Sequence, residues 1–303
     1  MTTLRSALSA TGSPDVGRHY ERLSIEDFGA HLLDTGDLDP IYIALHKMEL
    51  DEDYLKRWLL AYWCYYDAGV ACWMSTLTDP ELYWDTMMMA AENTTPPPVN
   101  VNMRWPRGHE RRHFRGQQGI DAIKSLRMRY PSGPSGLFTK LCLQELNPAP
   151  FATISKMVQE ERGFGPWISF KVGDMLDRLD ILPVSFEQAE VFMFKDPTEA
   201  ALRLWRLKGG MNETAMPKDK GQAINQVVGY LRHHFKDHTA PPRHERAVDL
   251  QEVETILCKW KSHMNGHYPM QNDTIEIRAG LEPWRRGCQI ASLMISCMPE
   301  ITT

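Results

Sequence analysis

The segment from Asp51 to Met74 constrains the fold of this chain more than any other part of its sequence. Its large apolar and aromatic side chains recur at steps of three and four residues, and they are Leu55, Trp58, Leu59, Tyr62, Trp63, Tyr66, Val70 and Trp73. Because an α-helix turns once in about 3.6 residues, this spacing places them on one face of a helix. We therefore predict one long core helix here.

The rest of the sequence repeats helical signals, and no segment is rich in strand patterns. Ser24 is a predicted N-cap, because acidic residues follow it in what would be the first helical turn. A further helix is predicted to begin at Asp79-Pro80 and to run through Trp84. Short helices are predicted over residues 137–146, 151–162 and 166–179. The expected fold class is therefore mainly α.

The length of the chain and its loops indicate how the domains are organised. Its 303 residues are many for one domain and few for three. Three consecutive prolines lie in a break at residues 93–102, which could separate two lobes or cross one face of a single body. Residues 1–17 are small and polar, and we expect a flexible N-terminus. Residues 18–303 are expected to form one elaborated helical domain of two packed lobes.

Charge is distributed unevenly along the chain. The net charge is -5, which argues against general affinity for polyanions, so any nucleic-acid surface must be local. Residues 103–129 contain seven Arg and one Lys against two acidic residues, which gives a local charge of +6 and leaves -11 for the remainder. These values predict one basic face on an acidic body.

Targeting and metal-binding patterns are not found in the sequence. It has neither a basic segment followed by an apolar run nor an apolar run of the roughly 20 residues that cross a bilayer. The six cysteines include no close pair of the kind that binds zinc. We therefore expect reduced thiols, a place in the cytoplasm, no membrane partner and no metal site.

Residues 151–179 have the pattern of two helices joined by a glycine-containing turn. Glycines can adopt positive φ and let a phosphate approach, and Pro166 suits the first helical position, where no N–H is needed. The free N–H groups of the second helix would face that phosphate. The pattern indicates a helix-hairpin-helix that binds the DNA backbone, although a tight turn without a ligand explains it equally well. The candidate DNA contacts are Gly163, Phe164, Gly165 and Lys171.

The most unusual string in the chain runs from Arg104 to Gly116 and is dense in arginine. Arginine is planar, always charged and able to bind phosphate through two N–H groups. Glu110 can orient one of the guanidinium groups. The string is therefore a candidate phosphate site, with a solvated basic surface or an ion-pair network as the alternative. The candidate phosphate-binding residues are Arg107, Arg111, Arg112 and Arg115.

Three strings carry a resemblance to a known family, and they are PRGHERRHFRG (Pro106 to Gly116), GFGPWISFKVGDMLDRL (Gly163 to Leu179) and KSHMNGHY (Lys261 to Tyr268). In this order, with the aromatic segment before them, they resemble the phage amino acid:DNA transferases, also called α-glutamyl/putrescinyl thymine pyrophosphorylases, over roughly residues 50–285. The resemblance implies a fold related to helix-hairpin-helix DNA glycosylases. It also implies duplex DNA with pyrophosphorylated 5-hydroxymethyluracil as the substrate.

In the reaction that this resemblance implies, the amine of a free amino acid displaces pyrophosphate from the 5-methylene carbon. Glycine or another small amino acid is expected. The hypermodified thymine would shield phage DNA from restriction in the host cytoplasm. No cofactor is required, although Mg²⁺ could accompany the pyrophosphate. We also expect the reacting base to be flipped out of the duplex.

The implied chemistry gives roles to individual residues. The arginine string could hold two adjacent phosphates and stabilise the charge that grows on the leaving group. A carboxylate or a neutral histidine must take the proton of the attacking amine. Asp174 is the first candidate, although an ion pair with Lys171 and Arg178 on an exposed helix face explains its position equally well. His113 and Glu110, inside the arginine string, complete the catalytic candidates.

A second polar segment supplies candidates for a substrate pocket, which are Lys261, His263, His267 and Tyr268. Contact with DNA or with the carboxylate of the amino acid is preferred to a metal site, and a structural role is the interpretation that we favour most. The two histidines have the spacing of a metal pair, but Gly266 argues against a continuous helix, and no glutamate of the HExxH type accompanies them. Asp67 joins the pocket candidates, and we favour a hydrogen bond to a Tyr hydroxyl as the explanation of its carboxylate.

Two other functions remain open. A DNA glycosylase would share the fold, but Trp167 stands where enzymes of that superfamily with lyase activity carry lysine, and a catalytic Asp after the second helix is not obvious. A non-enzymatic helix-hairpin-helix DNA-binding protein would need the hairpin alone. The dense arginine string counts against that function.

Overall fold

The computed structural model describes residues 20–99, 104–209, 211 and 215–302, and the N-terminus predicted to be flexible lies outside them. Within the described part the chain is mainly α-helical, as predicted, with two very short sheets. Its contacts divide it into two compact units. Unit 1 contains residues 20–39, 186–274 and 300–302, and unit 2 contains residues 40–185 and 275–299, in so far as they are described.

Unit 2 holds the longer continuous part of the chain. Its helices are α2 (Pro40–Met48), α3 (Glu52–Tyr65), α4 (Ala68–Ser75), α5 (Pro80–Glu92), α6 (Gly116–Arg129), α7 (Ser135–Cys142), α8 (Phe151–Gln159), α9 (Pro166–Arg178) and α15 (Gln289–Cys297). Two short 3-10 helices are His109–Arg111 and Glu282–Trp284, and strands β1 (Ala149–Pro150) and β2 (Val184–Ser185) pair in parallel. Helix α3 packs on α4, α5 on α6, α8 on α9, and α15 on α2 and α4.

Unit 1 is built on four longer helices and one short one. They are α1 (Ile25–Asp34), α10 (Gln188–Val191), α11 (Lys195–Lys208), α12 (Lys220–His234) and α13 (Leu250–Met264). Strands β3 (Thr239–Ala240) and β4 (Arg246–Ala247) form an antiparallel pair. Helix α11 packs on α12 and α13, and α1 packs on α13. Helix α14 (Asn272–Leu281) contains the boundary between the two units.

The single long helix predicted over residues 51–74 is wrong, because two helices, α3 and α4, occupy this segment. Tyr66 ends α3 in the left-handed conformation, with φ of 52°. Asp67 then caps α4, where its carboxylate accepts a 2.8 Å hydrogen bond from the N–H of Val70. Hydrophobic spacing continues across this break because it reports which side chains are buried, and not whether one helix is continuous.

Two predicted helix starts are confirmed. Ser24 caps α1 and accepts a hydrogen bond from the N–H of Asp27, and Asp79 caps α5 with Pro80 in the first turn. The proline-containing loop that we considered as a lobe break lies inside unit 2 for its described residues, 93–99. The boundaries between the compact units fall near residues 39, 185, 274 and 299.

Three of the five aromatic residues predicted for the core, Trp58, Tyr62 and Trp63, are buried in unit 2, whereas Tyr66 and Trp73 are half-buried. Trp58 and Trp63 are fully buried, and Trp63 stacks on Phe138 with ring centroids 5.3 Å apart. Tyr65 is also fully buried and donates its hydroxyl to the carbonyl of Met87. This interior fixes the C-terminal end of α3, from which the candidate site is built.

Candidate DNA-binding and catalytic site

The hairpin predicted from the sequence consists of α8, α9 and the intervening residues 160–165. Gly163 has a φ of +84°, as predicted. Gly165 does not use the positive φ that a glycine allows, because this residue is the N-cap of α9 and has extended backbone with φ of -103°. Pro166 occupies the first turn of α9, as predicted, and no side chain caps this helix.

The two glycines have different surroundings. A Cβ atom on Gly163 would lie 3.0 Å from the ring of Phe114 and 3.1 Å from Cβ of Ala122, so this glycine serves the packing of unit 2. A Cβ atom on Gly165 would have no described heavy atom within 4 Å. The backbone at the start of α9 is therefore open to a ligand at Gly165, next to an uncapped helix N-terminus.

Phe164 lies between these glycines and faces inward. Its side chain is buried, and its ring meets that of Phe114 edge-on at 6.3 Å. Its N–H donates to the carbonyl of Glu161. The side chain of this predicted DNA contact is therefore part of the packing that supports the turn.

Arg111 is the deepest member of the arginine string, with only 2% of its surface exposed. Its Nε donates to the carbonyl of Cys64 over 3.1 Å, and its Nη1 donates to the carbonyl of Gly163 over 3.0 Å. Nη2 has no hydrogen-bond partner among the described residues. Burial lowers the pKa of Arg111 to about 10, so it remains charged at neutral pH. Arg111 thus connects the end of α3 to the hairpin and places a positive charge beneath the turn.

Arg107 is half-buried and is also held by backbone carbonyls. Its Nη2 donates to the carbonyl of Ala90 over 2.7 Å, and its Nη1 donates to the carbonyl of Phe114. These contacts anchor the string to the end of α5. Two of the four predicted phosphate-binding arginines therefore already use N–H groups within the protein.

Arg112 and Arg115 differ from these anchors because both are exposed. No hydrogen bond or ion pair joins either guanidinium to another residue of the described chain. His113 is exposed between them, and partial burial together with the charges of Arg111 and Arg112 lowers its pKa. At neutral pH residues 112–115 therefore present two exposed cations and one neutral imidazole.

Asp174 is buried in unit 2, so the exposed helix face that we gave as the alternative explanation is wrong. The hydroxyl of Tyr42 donates to Oδ2 over 2.6 Å, Nζ of Lys171 lies 3.5 Å from the same oxygen, and Arg178 lies 4.0 Å from Oδ1. Burial alone would raise the pKa of Asp174, but the charges of Lys171 and Arg178 and the Tyr42 bond outweigh it and lower the pKa. Asp174 is therefore an ionised carboxylate that holds Lys171.

An aromatic wall that is not among the named site candidates consists of Tyr62, Tyr66 and Trp167. The rings of Tyr62 and Tyr66 lie 4.6 Å apart, and Trp167 meets Tyr66 edge-on at 4.9 Å. Burial raises the pKa of Tyr62, as do Tyr66 and the charge of Glu110, while the charge of Lys171 opposes the rise. Two predicted site residues, Glu110 and Lys171, thus act on the same buried phenol. The four-residue spacing of the tyrosines was the available sequence signal.

Glu110 completes this part of the site. Its Oε1 lies 3.2 Å from Nε2 of His109, whose side chain is exposed. The pair offers Glu110 little stabilisation, because surface ion pairs contribute about 0–1 kcal/mol. A carboxylate in this position could accept a hydrogen bond from a bound substrate.

Asp67 has a structural task that we did not predict. Its carboxylate caps α4 through the N–H of Val70, and the Tyr hydroxyl that we favoured is not among its partners in the described chain. Burial raises the pKa of Asp67 to about 6, against the opposing hydrogen bonds from the N–H groups of Val70 and Gly69.

Unit 1 contains the predicted pocket residues from the last third of the chain. His263 is fully buried and stacks between Tyr20 and Phe28, at centroid distances of 4.8 and 4.4 Å. Its Nε2 accepts a 3.0 Å hydrogen bond from the N–H of Leu23, so Nδ1 carries the proton and donates to the carbonyl of Tyr268 over 2.8 Å. These contacts match the structural role that the sequence analysis favoured.

The other members of this segment have separate surroundings. Tyr268 is buried and donates its hydroxyl to Asp37 over 2.9 Å. Lys261 forms ion pairs with Asp196, at 2.7 Å, and with Glu199. His267 is exposed beyond the end of α13, and Gly266 interrupts the helix with φ of +81°, as its sequence position indicated.

Neither a membrane-spanning helix nor a metal cluster is found in the described part of the chain. None of its helices combines the length and the apolar character needed to cross a membrane. Within residues 20–99, 104–209, 211 and 215–302, no three His, Cys, Asp or Glu side chains are grouped so that they could hold a metal ion.

Comparison with known proteins places these features in a family. The sequence model of the family described as "Amino acid:DNA transferase" matches residues 30–267. A "Glycinyltransferase" of Pseudomonas phage PaMx11 is 45% identical over 297 residues, which cover 95% of this chain and 100% of that protein. A "Putrescinyltransferase" of Delftia phage PhiW-14 is 25% identical over 271 residues, which cover 88% of this chain and 80% of that protein.

These matches confirm the resemblance carried by the arginine string and the hairpin, and they do not favour a glycosylase or a DNA-binding protein without activity. They agree with an enzyme that transfers an amino acid onto phage DNA. The chain belongs to the amino acid:DNA transferase family.

Proposed function

We propose that this transferase attaches glycine to a pyrophosphorylated thymine derivative in duplex DNA and releases pyrophosphate. The observation that carries the choice of glycine is the 45% identity to a phage glycinyltransferase over 95% of this chain. The pyrophosphorylated 5-hydroxymethyluracil substrate follows from the resemblance of the arginine string and the hairpin to the family. The setting is the cytoplasm of an infected host, where the modification would shield DNA from restriction.

In the proposed reaction the nitrogen lone pair of glycine attacks the 5-methylene carbon of the base. The C–O bond breaks, and its electron pair leaves with pyrophosphate. Arg112 and Arg115 would bind the departing phosphates, because they are exposed and have no partner in the described chain. Charge grows on the leaving oxygen in the transition state, so these contacts strengthen as the bond breaks. Arg111 would add its buried positive charge from beneath the hairpin.

The glycine ammonium must lose a proton before it can attack. His113 is better suited to this step than Asp174, since its lowered pKa keeps the imidazole neutral at neutral pH. Asp174 has a lowered pKa and two cationic neighbours, so it attracts a proton weakly. We assign to Asp174 the positioning of Lys171, and to Glu110 the acceptance of a hydrogen bond from the bound amine.

The DNA would be held at the hairpin. The open backbone at Gly165 and the uncapped start of α9 favour contact with a backbone phosphate. Lys171, held by Asp174 one turn further along α9, would add a cation. Trp167 stands in the first turn of the same helix and would offer a ring to an extruded base.

The proposed amino acid is tested by competition. Purified enzyme is incubated with DNA that carries the pyrophosphorylated base and an equimolar mixture of the twenty amino acids and putrescine. After digestion to nucleosides, mass spectrometry should find the glycine adduct as the dominant product. A dominant adduct of any other amine would overturn the choice of glycine while leaving the family assignment intact.

A further inference from the structure

Unit 1 contains a cavity of about 740 Å³ between α11, α12 and α13, well away in sequence from the arginine string. Five cationic side chains line it: Lys195, Arg203, Arg206, Lys220 and Lys261. Glu199 is the acidic residue among the lining side chains. The chain as a whole carries a net charge of -5, so a cluster of cations around one cavity is opposite in sign to the net charge of the protein. An anionic ligand would fit this lining.

Two of the five cations already have carboxylate partners. Lys261 forms ion pairs with Asp196 and Glu199, and Lys195 lies 3.6 Å from the carboxylate of Glu199. These lysines therefore leave little charge for a ligand. Their acidic partners offset only part of the positive charge of the residues that line the cavity.

The other three cations have no carboxylate partner in the described chain. Arg206 donates its Nε to the carbonyl of Ala215, and Arg203 lies over the ring of Trp260, 5.8 Å from its centroid. Lys220, at the start of α12, forms no hydrogen bond or ion pair with the described residues. Positive charges that share one cavity repel one another, and a bound anion would convert this repulsion into attraction.

We propose that this cavity binds a phosphate group. Arg203 and Arg206 are three residues apart on α11, so their side chains leave the same face of the helix and can approach one ligand. Guanidinium groups match the geometry of phosphate oxygens, and three cations without a carboxylate partner in the described chain suit a phosphate better than the single charge of an amino acid carboxylate. The cavity volume is also much larger than glycine needs.

Two sources of phosphate are available to this enzyme. The DNA backbone is one, and it follows from the family assignment alone. The pyrophosphate group is the other, and that source rests on the proposed function. Both sources would present the same phosphate oxygens to the cavity. Experiments with two probes, an unmodified DNA duplex and inorganic pyrophosphate, distinguish between them.

The test compares Lys220→Gln and Arg203→Gln with a matched control, Lys236→Gln. Lys236 is an exposed cation of unit 1 that does not line the cavity. Binding of a labelled duplex is followed by fluorescence anisotropy at several salt concentrations, and binding of pyrophosphate by calorimetry. Melting temperatures establish that each variant is folded. Lys220→Glu is a second variant at an exposed position, in case the half-buried Arg203 substitution prevents folding.

We expect each cavity variant to weaken binding of one probe by about tenfold, and the control to stay within about twofold of the original protein. If the duplex is the affected probe, the plot of the logarithm of the binding constant against the logarithm of the salt concentration should become less steep. Its slope should fall by about one unit for each phosphate that the variant no longer binds. An effect on the duplex alone assigns the cavity to the DNA backbone, and an effect on pyrophosphate assigns it to the leaving group. Unchanged binding of both probes in folded cavity variants would overturn the proposal, whether or not glycine transfer is observed.

Discussion

The four arginines between positions 107 and 115 look alike in sequence but have different environments. Arg107 and Arg111 donate to backbone carbonyls inside unit 2, whereas Arg112 and Arg115 are exposed. Substitution of Arg107 or Arg111 is therefore expected to change the stability of the fold. Substitution of Arg112 or Arg115 is expected to change the rate of the reaction. This difference decides which variants can report on the leaving group.

Arg112→Ala should lower the rate of glycine transfer by about a hundredfold, because it removes a contact that strengthens in the transition state. Its free energy of unfolding should change by less than about 0.5 kcal/mol, as for most exposed sites. Arg111→Ala is the matched comparison. It leaves the carbonyls of Cys64 and Gly163 without their donor and should cost about 3 kcal/mol in urea denaturation. An active Arg112→Ala enzyme would remove Arg112 from the mechanism.

The pH dependence of transfer tests His113. The base must be neutral, so activity should be lost as the pH falls through the pKa of His113, which lies below its ordinary value of 6.5 because of burial and the charges of Arg111 and Arg112. Arg112→Ala removes one of these charges and makes protonation easier. The acidic limb of kcat/KM should therefore move to higher pH in this variant.

Arg115→Ala is the control for this shift, because Arg115 is not among the groups that perturb His113. Its acidic limb should stay in place. His113→Gln should abolish the limb together with most of the activity. The same limb in His113→Gln as in the original enzyme would assign the titration to another group.

At the scale of helices, the sequence predicted those starts and caps that are determined by neighbouring residues. The caps at Ser24 and Asp79 and the start of α9 at Pro166 depend on neighbouring residues, and all three are confirmed. The break between α3 and α4 was missed because Tyr66 adopts positive φ without being a glycine. The N-cap of α4, Asp67, was missed because it lies within an apolar pattern that continues through both helices.

The environment of the candidate site could not be predicted from local sequence. Arg111 binds carbonyls that are 47 and 52 residues away along the chain. Tyr42 and Asp174 are separated by 132 residues, and no local motif marks Tyr42 as a partner. The density of arginine made this segment a candidate site, but only tertiary packing determines which guanidinium groups face solvent.

The hairpin makes a prediction of its own through Gly165. Its φ of -103° is accessible to valine, and a Cβ atom there meets no described heavy atom, so Gly165→Val should fold normally. The added side chain would obstruct a phosphate at the start of α9. Binding should weaken alike for duplexes of different sequence, because phosphates carry no sequence information.

Gly163→Val is the matched comparison for this experiment. Its positive φ of +84° should cost about 1–2 kcal/mol of stability, in addition to the close approach to Phe114. Anisotropy on several duplexes and urea denaturation separate the two effects. Loss of affinity for a single sequence in Gly165→Val would contradict contact with the backbone.

Across the molecule as a whole, an acidic chain carries three candidate anion sites, which are the exposed part of the arginine string, the start of α9 and the cavity of unit 1. Arginine can neutralise a leaving pyrophosphate without a metal ion. On purified pyrophosphorylated DNA, EDTA should therefore leave the rate of glycine transfer unchanged. A rate that disappears with EDTA and returns with Mg²⁺ would show that a metal shares this task.

The proposed displacement of pyrophosphate by the nitrogen of glycine would fix the stoichiometry of the reaction, which can be measured. ¹⁵N-glycine and pyrophosphorylated DNA are incubated with the enzyme, and the released pyrophosphate and the modified nucleoside are quantified from the same reaction. We predict equal amounts of both, with the ¹⁵N atom bonded to the 5-methylene carbon. Release of pyrophosphate without a glycine adduct, or an adduct joined through the glycine carboxylate, would refute this displacement.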